Sequence, residues 1–227
     1  GQLFRRGLDD DLGRGKFLIS TKIPITDSRD SAWQELEKSL AALGSHIDVL
    51  NLHGINTRDR LKTATRPDGC LKACQEAVDQ GIVGKLAFSS HAGPEVIVPA
   101  LETGLFSAVS LLFWWTNQRN AASIDRATEL DIGILLLSVA EKGGLLFKPT
   151  RKLKAVCKPI SPLVLTHRWL LAHPGVTTLT IGAARPGDFD DHMAAASGPD
   201  GLTEEEKTLL RRWIEEERKA LDGTRCE

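Results

Sequence analysis

The feature that most constrains the fold is a regular alternation of short apolar runs with amphipathic helical stretches. The runs are nearly continuously apolar, which is typical of strands buried on both faces. Strand–helix units in series form a parallel sheet with right-handed crossovers. The six runs are Lys16–Lys22, Ile47–His53, Lys85–His91, Ala108–Phe113, Ile132–Ser138 and Thr177–Gly182.

Helical periodicity and capping residues mark the segments between the runs. Apolar residues recur at helical spacing from Trp33 to Leu43, with Ser31 as the expected N-cap and Gly44 as the stop. Thr203 and Glu206 fit a capping box at the start of the last helix. Further helices are predicted over Leu71–Gln80, Pro94–Glu102, Ala121–Glu129, Ser161–His173, Asp188–Ala196 and Glu204–Leu221.

Two architectures fit this α/β pattern, an open doubly wound sheet and a closed (β/α)8 TIM-type barrel. No G-x-G-x-x-G follows the first run, which weakens the dinucleotide-binding version of the open sheet. In a barrel, the carboxyl ends of the strands meet at one active-site mouth, and polar residues at those positions favour the barrel. These polar residues are Lys22, His53, Ser89, Ser90, His91 and Ser138.

The strand count predicts a partial barrel. A complete barrel has eight strands in roughly 250 residues, and this 227-residue chain offers about six of the eight units. Only 15 residues precede the first run, whereas a βαβ unit needs about 30. We therefore expect one domain over residues 1–227, truncated at its N-terminal side, with Leu3–Asp10 as the tail of a helix from a missing unit. Open barrel edges would favour self-association.

Composition excludes several classes of partner. Lys and Arg total 29 against 30 Asp and Glu, a net charge of −1, which argues against nucleic acid or an anionic membrane surface. No apolar run is long enough to span a bilayer. Four Cys are too sparse for a disulfide framework, which favours a reducing cytoplasm. Cys70 and Cys74 have no companion at metal-ligand spacing, so we expect them to be structural and expect no metal site.

Several motifs, in order along the chain, resemble the aldo/keto reductase superfamily and within it a branch of predicted oxidoreductases. Together they cover nearly the whole chain from Phe17 to Leu221. The matching stretches are Ile19–Lys22, Ser39–Gly44, His46–His53, Gly84–His91, Asp131–Gly144 and Ile181–Arg185.

The resemblance implies reversible hydride transfer between NAD(P)H and a carbonyl compound, an aldehyde or ketone, at the mouth of a (β/α)8 barrel. In the family an Asp, a Tyr acid, a Lys and a His carry this chemistry. The Lys maps onto Lys22 and the His onto His53. The Asp and Tyr belong to the region that we expect to be missing, and the chain contains no Tyr at all. We therefore expect this chain to be inactive; the alternative is a non-catalytic, nucleotide-binding or regulatory protein of the same family.

The resemblance also assigns the cofactor contacts. Ser89 and Ser90 match a Ser-Asn pair that binds the nicotinamide carboxamide; a turn or helix cap is the alternative explanation for two serines at a strand end. Ser138, Lys142, Gly143 and Gly144 form a loop suited to the pyrophosphate. Arg185 suits the adenosine 2′-phosphate, which makes NADPH the expected cofactor.

The substrate contacts are the least constrained part of the expected site. His91, Phe113 and Trp114 are candidate contacts to a small carbonyl substrate; the aromatic residues could equally pack the barrel mouth. Asp191 and His192 stand where the family often has a Glu-Asn pair that holds the adenine.

Overall fold

The computed structural model describes residues 17–183 and 185–220 and shows an α/β fold with six strands. The strands lie in one sheet in the order in which they occur along the chain. Neighbouring strands are parallel from the first to the fourth. The strands are β1 Ser20–Pro24, β2 Ile47–His53, β3 Val83–Ser89, β4 Ala108–Leu112, β5 Gly133–Leu137 and β6 Val176–Leu179.

Helices separate the strands, as expected for βα units. Short 3₁₀ turns cover Leu145–Phe147 and Pro186–Asp188. The described α-helices are α1 Arg29–Leu43, α2 Arg58–Ala64, α3 Cys70–Asp79, α4 Pro94–Leu101, α5 Ala121–Glu129, α6 Arg151–Cys157, α7 Pro162–Leu171, α8 Phe189–Ala196 and α9 Glu204–Ala220.

The chain divides into two compact units. The first takes the described residues of Gly1–Leu111 with Arg119–Ile134, and the second takes Leu112–Gln118 with the described residues of Leu135–Glu227. The expectation of a single domain stays a prediction.

In the first unit, α1 and α3 pack together through buried small and apolar side chains. Ala32 and Leu36 of α1 are buried, as are Ala73 and Cys74 of α3. Burial raises the pKa of the Cys74 thiol to about 12, so this cysteine is structural and not a thiolate nucleophile.

A polar cluster also joins these two helices. The Arg29 guanidinium donates to both carboxylate oxygens of Glu76 at 3.0 and 2.8 Å, and the Trp33 indole N–H donates to Glu76 at 2.9 Å. These hydrogen bonds hold the pKa of Glu76 below its usual range.

The second unit has an apolar core and a buried ion pair. Arg168 of α7 donates to Glu206 of α9 at 2.8 Å, and both side chains are almost fully buried. The predicted capping box is confirmed, since Thr203 N donates to Glu206 and Glu206 N donates to Thr203 Oγ1. The core consists of Leu146, Cys157, Leu163, Leu165, Leu209, Leu210 and Trp213.

Most elements lie where the sequence places them. β2 and α5 begin and end at the predicted residues. The expected Ser31 cap is wrong: Ser28 caps α1 by accepting a hydrogen bond from Ser31 N, and Gly44 ends the helix at φ 65°. Leu3–Asp10 lies outside the described residues. Among the residues that the structure describes, no helix is long and apolar enough to cross a membrane.

Candidate functional site

Strand register brings polar side chains to one face of the first unit. Lys22 of β1 lies opposite Asn51 of β2, and His53 is two residues further along β2. Paired residues of parallel strands, and residues two apart on one strand, point to the same side. Asn51 lies opposite Ala87 of β3, two residues before Ser89, which pairs with Ser110 of β4. The polar face therefore comprises Ser20, Lys22, Asn51, His53, Ser89 and Ser110.

Asn51 is the centre of this polar face. Its side chain is fully buried. Its amide nitrogen donates to Ser20 Oγ at 3.1 Å and to the Thr21 carbonyl at 3.3 Å, and its oxygen accepts from Ser110 Oγ at 3.1 Å. These bonds satisfy a buried amide that would otherwise be costly to desolvate. They tie β1, β2 and β4 together beneath Lys22 and His53, whose side chains are exposed.

The loop after His53 is held by the two serines at the end of β3. The Ser89 carbonyl accepts from Gly54 N and Ile55 N, and Ser89 Oγ also accepts from Gly54 N at 3.1 Å. Ser90 Oγ donates to the Ile55 carbonyl at 2.7 Å and accepts from Ala92 N at 3.1 Å. Both serines are buried, so these hydroxyls shape the backbone beside His53.

Two further side chains hold the same loop. Arg60 of α2 donates to the Gly54 carbonyl at 3.0 Å and to the His53 carbonyl at 3.4 Å. Asn56 Oδ1 accepts from His91 N at 2.7 Å, and Arg119 donates to the His91 carbonyl at 2.5 Å. The backbone of His91 is thus fixed while its side chain is exposed.

In the second unit, the loop after β5 forms a glycine-lined cavity with the end of β6. The cavity has a volume of about 290 Å³ and is lined by Ser138, Gly143, Gly144 and Gly182, among others. Ser138 has a φ of 56° and the two loop glycines have φ of 79° and 73°. Residues other than glycine rarely adopt positive φ angles. Loops that contain several such positions often direct backbone N–H groups toward a ligand.

Lys142 and Arg185, which are predicted to bind the phosphates, do not line this cavity. Lys142 is exposed on the loop between Ser138 and Gly143. The Arg185 side chain is 81% exposed, and its guanidinium pairs with Asp188 at 3.1 Å. Asp188 also accepts from the Arg185 backbone N at 3.0 Å.

His192 lies at a position that the resemblance links to adenine. In the structure it contacts another histidine within the second unit. Its Nδ1 lies 3.2 Å from Nδ1 of His167, and the two rings stack with centroids 4.9 Å apart. Burial, assisted by His192, lowers the pKa of His167 to about 4. Burial also lowers the pKa of His192. The adjacent Asp191 is exposed.

The aromatic candidates for substrate contact are buried in the second unit. Phe113 is 1% exposed and stacks on Trp169 with ring centroids 5.3 Å apart. The Trp114 indole N–H donates to Thr116 Oγ1 at 3.1 Å. Both side chains are buried, and their contact with a substrate stays a prediction. No cluster of three or more His, Cys, Asp or Glu among the described residues could hold a metal ion.

The sequence profile of the aldo/keto reductase family matches residues 2–212 of this chain. The chain belongs to the aldo/keto reductase family. Members of this family are oxidoreductases, and the six parallel βα units are part of their (β/α)8 barrel. No curated protein matches the chain.

Solved aldo/keto reductases share the fold at low sequence identity. Aldo-keto reductase AKR11C1 from Bacillus halodurans, in its holo form, is 19% identical with a TM-score of 0.75, over 93% of this chain and 76% of that one. The glycerol dehydrogenase AKR11B4 from Gluconobacter oxydans is 16% identical with a TM-score of 0.74, over 95% and 76%. Aldose reductase from Giardia lamblia is 12% identical with a TM-score of 0.72, over 91% and 76%. At these identities the likeness concerns the fold alone.

Sequence reasoning missed the residues that support the aldo/keto reductase site. Asn51 carried a usable signal, because this polar residue lies two positions before His53 in β2 and therefore on the same face of the strand. The sequence carries no signal for Arg60, because α2 has only seven residues and no apolar periodicity. The structure gathers Lys22, His53 and Ser89 on the polar face of the first unit. In the second unit it gathers Ser138, Gly143 and Gly144 around one cavity.

Proposed function

We propose that this chain is an NADPH-binding oxidoreductase of the aldo/keto reductase type, whose chemistry is the reduction of an aldehyde or ketone. The observation that supports this best is the polar face, where the register of β1 and β2 places Lys22 and His53 on one side of the sheet above buried Asn51. Both residues lie near the carboxyl ends of their strands, where barrel enzymes have their active sites.

The glycine-lined cavity of the second unit suits a pyrophosphate. A Cβ atom added at Gly143 or Gly182 would meet nothing within 4 Å, so the backbone there borders open space. The succession of left-handed backbone positions at Ser138, Glu141, Gly143 and Gly144 can direct N–H groups toward an anion. Lys142 and Arg185 would add positive charge from the same unit.

Only one of the two serines expected to bind the nicotinamide carboxamide is suited to do so. The Ser89 hydroxyl accepts one hydrogen bond and has its proton to donate, so it can bind a carboxamide oxygen. Ser90 is fully buried and already donates its one hydroxyl proton to the Ile55 carbonyl. We therefore assign the carboxamide contact to Ser89 and expect Ser90 to act through the shape of the loop.

NADPH, when bound, supplies the hydride that a carbonyl carbon accepts. The contribution of this chain would be to orient the carbonyl oxygen: the Lys22 ammonium adds positive charge, and the His53 imidazole donates a hydrogen bond. His91, with its backbone fixed by Asn56 and Arg119, would border the substrate. Reduction also needs a proton at that oxygen, which a tyrosine supplies in the family.

The 227 residues contain no Tyr, and the second candidate function is therefore a protein of the same family that binds nucleotide without turnover. Both candidates place NADPH in the same site and differ only in the proton donor. Buried, reduced cysteines support a cytoplasmic setting. We propose no nucleic acid or membrane partner.

Substitution of Gly182 tests the cofactor site. Gly182 lines the cavity, and its Cβ position is open space, so Gly182→Val should fold normally and fill the space that the pyrophosphate needs. We expect NADPH fluorescence enhancement to be lost in Gly182→Val and only reduced in Gly182→Ala, with thermal unfolding unchanged in both. Undiminished NADPH binding by a folded Gly182→Val protein would contradict the assignment.

A further inference from the structure

Arg60 of α2 is held beside His53 by hydrogen bonds from its own guanidinium group. Its Nε donates to the Gly54 carbonyl at 3.0 Å, and its Nη2 donates to the His53 carbonyl at 3.4 Å. Two bonds from a planar guanidinium fix its orientation, which a single contact would not do. Arg60 therefore places a permanent positive charge at the carboxyl end of β2, next to a histidine of the polar face.

The guanidinium of Arg60 keeps N–H groups for a ligand. A guanidinium has five N–H donors, and the two backbone carbonyls take donors from Nε and Nη2 only. The Nη1 amino group has no hydrogen bond to a described residue, and Arg60 forms no ion pair within the part of the chain that the structure describes. Its side chain is exposed. An arginine that is held in place but not neutralised is suited to bind an oxyanion.

The loops next to Arg60 contribute no negative charge of their own. The loops after β2 and β3, residues 54–57 and 90–93, contain no Asp or Glu. The first acidic residue after each loop already has a partner. Asp59 pairs with a lysine of its own helix at 3.3 Å, and Glu95 accepts a hydrogen bond from a backbone N–H of its own turn at 3.2 Å. An anion beside Arg60 therefore meets no carboxylate from either loop.

Arg58 shows that exposure alone does not produce this arrangement. It lies two residues earlier in α2, is also exposed, and its side chain forms no hydrogen bond or ion pair with the described residues. Ordering such a side chain on a ligand costs conformational entropy. Because the backbone carbonyls already order Arg60, the same cost is smaller there. Arg60 is therefore better suited than Arg58 to hold an anion at a defined position.

We propose that Arg60 binds a carboxylate group of the substrate and so selects small aldehydes or ketones that carry one. This rests on the proposed function, which places the reacting carbonyl oxygen beside Lys22 and His53. Because the Arg60 guanidinium is bonded to the main-chain carbonyl of His53, one small molecule can reach both groups. The single fixed positive charge matches the single charge of a carboxylate. Arg60 touches only the carboxylate, so it determines specificity and takes no part in hydride transfer.

4-Acetylbenzoate and 4-acetylbenzamide are the probes that isolate this inference. The two ketones have nearly the same shape, and only the benzoate is charged. Each is titrated into the chain with saturating NADP⁺, which has no hydride to donate. NMR of the His53 ring protons, assigned through His53→Gln, reports binding at the polar face. We expect the unmodified chain to bind the benzoate about tenfold or more tightly than the amide.

Two arginine variants test whether this preference belongs to Arg60. Arg60→Ala should lose the preference for the benzoate and bind the amide as the unmodified chain does. Arg58→Ala, which removes the same charge from the same helix, should keep the preference. Equal losses for both ketones in Arg60→Ala would show that this arginine only shapes the loop, and an equal effect of Arg58→Ala would show that only the general positive charge matters. Either result would overturn the inference.

The cofactor separates this inference from the proposed function. If the unmodified chain binds NADP⁺ but shows no preference for the benzoate, or does not bind it at the polar face, the proposed function stands and the assignment to Arg60 is overturned. A folded chain that does not bind NADP⁺ would contradict the proposed function itself.

Discussion

The Ser90 hydroxyl donates a hydrogen bond to the Ile55 carbonyl at 2.7 Å and so joins the end of β3 to the loop that follows His53. Ser90 and Ile55 are both fully buried. A buried carbonyl that loses its donor pays the cost of desolvation without compensation.

Ser90→Ala should destabilise the protein by about 1–3 kcal/mol, because it leaves the Ile55 carbonyl and the Ala92 N–H without their partner. Ser123→Ala is the matched control: Ser123 is equally buried in the same unit, and its hydroxyl has no hydrogen-bond partner in the described structure. Its loss should be neutral or stabilising. Urea unfolding of both variants is the measurement, and equal destabilisation by the two would contradict a structural role for the Ser90 bond.

Acid should destabilise the protein through the His167–His192 pair. His167 has a folded pKa of about 4 against an ordinary value of 6.5, so between these values the unfolded chain binds the proton more tightly. Stability conferred by the neutral imidazole is therefore present above pH 6.5 and is lost as the pH falls toward 4, on the order of a few kcal/mol.

Glu206 also makes the protein less stable in acid, but at a lower pH than the histidine pair. Burial raises its pKa, but hydrogen bonds from Arg168 and Thr203 outweigh burial and keep the pKa below its ordinary value.

The measurement is the urea midpoint at several pH values between 7.5 and 5. The double variant His167→Leu/His192→Leu should show a flatter dependence than the unmodified chain. His46→Gln, which replaces a half-exposed histidine paired with Asp48, should keep the full slope. An undiminished slope in the double variant would show that another group carries the acid sensitivity.

The fold could be predicted to the level of its elements because hydrophobic periodicity is local information. β2 and α5 are bounded by strong signals, an apolar run ending at His53 and a periodic stretch between Asn120 and Leu130. The misplaced cap of α1 shows the limit: Ser28 and Ser31 are both good cap residues, and only the backbone angles of Ser28 decide between them.

The candidate site could be predicted less well because its geometry depends on contacts between distant segments. Ser89 and Ser90 mark the end of a strand, but their hydrogen bonds go to residues 54 and 55, 35 positions away. The partner of His192 is His167, 25 positions earlier, and no sequence spacing indicates it. Arg185 satisfies Asp188 locally, so its availability to a phosphate could not be judged from the motif.

The 227-residue polypeptide should show no measurable carbonyl reductase activity. It contains no Tyr, and loss of a general acid typically costs about 10²–10⁴-fold in rate. NADPH oxidation with a panel of aldehydes and quinones measures this, with a solved family member as the positive control. Turnover of about 1 s⁻¹, the low end of ordinary enzymes, would show that another group delivers the proton.

The same polypeptide should self-associate at micromolar concentration. β1 lies at one end of the strand order, and Leu18 beside it is 77% exposed. A strand edge next to an exposed apolar side chain promotes pairing with another chain, and a charge there opposes it. Leu18→Lys should shift light scattering toward the monomer. Leu145→Lys, at a leucine that is 63% exposed outside the strands, should not. A stable 24.8 kDa monomer of the unmodified chain would contradict this expectation.

Titration calorimetry of the unmodified chain with NADPH and with NADH tests the central claim most directly. Nucleotide binding does not depend on the proton donor, because the proposed cofactor contacts are made by residues of this chain. We expect saturable binding of one NADPH per chain, with NADH bound more weakly. A folded chain, verified by circular dichroism, that gives no saturable heat with either nucleotide would contradict it.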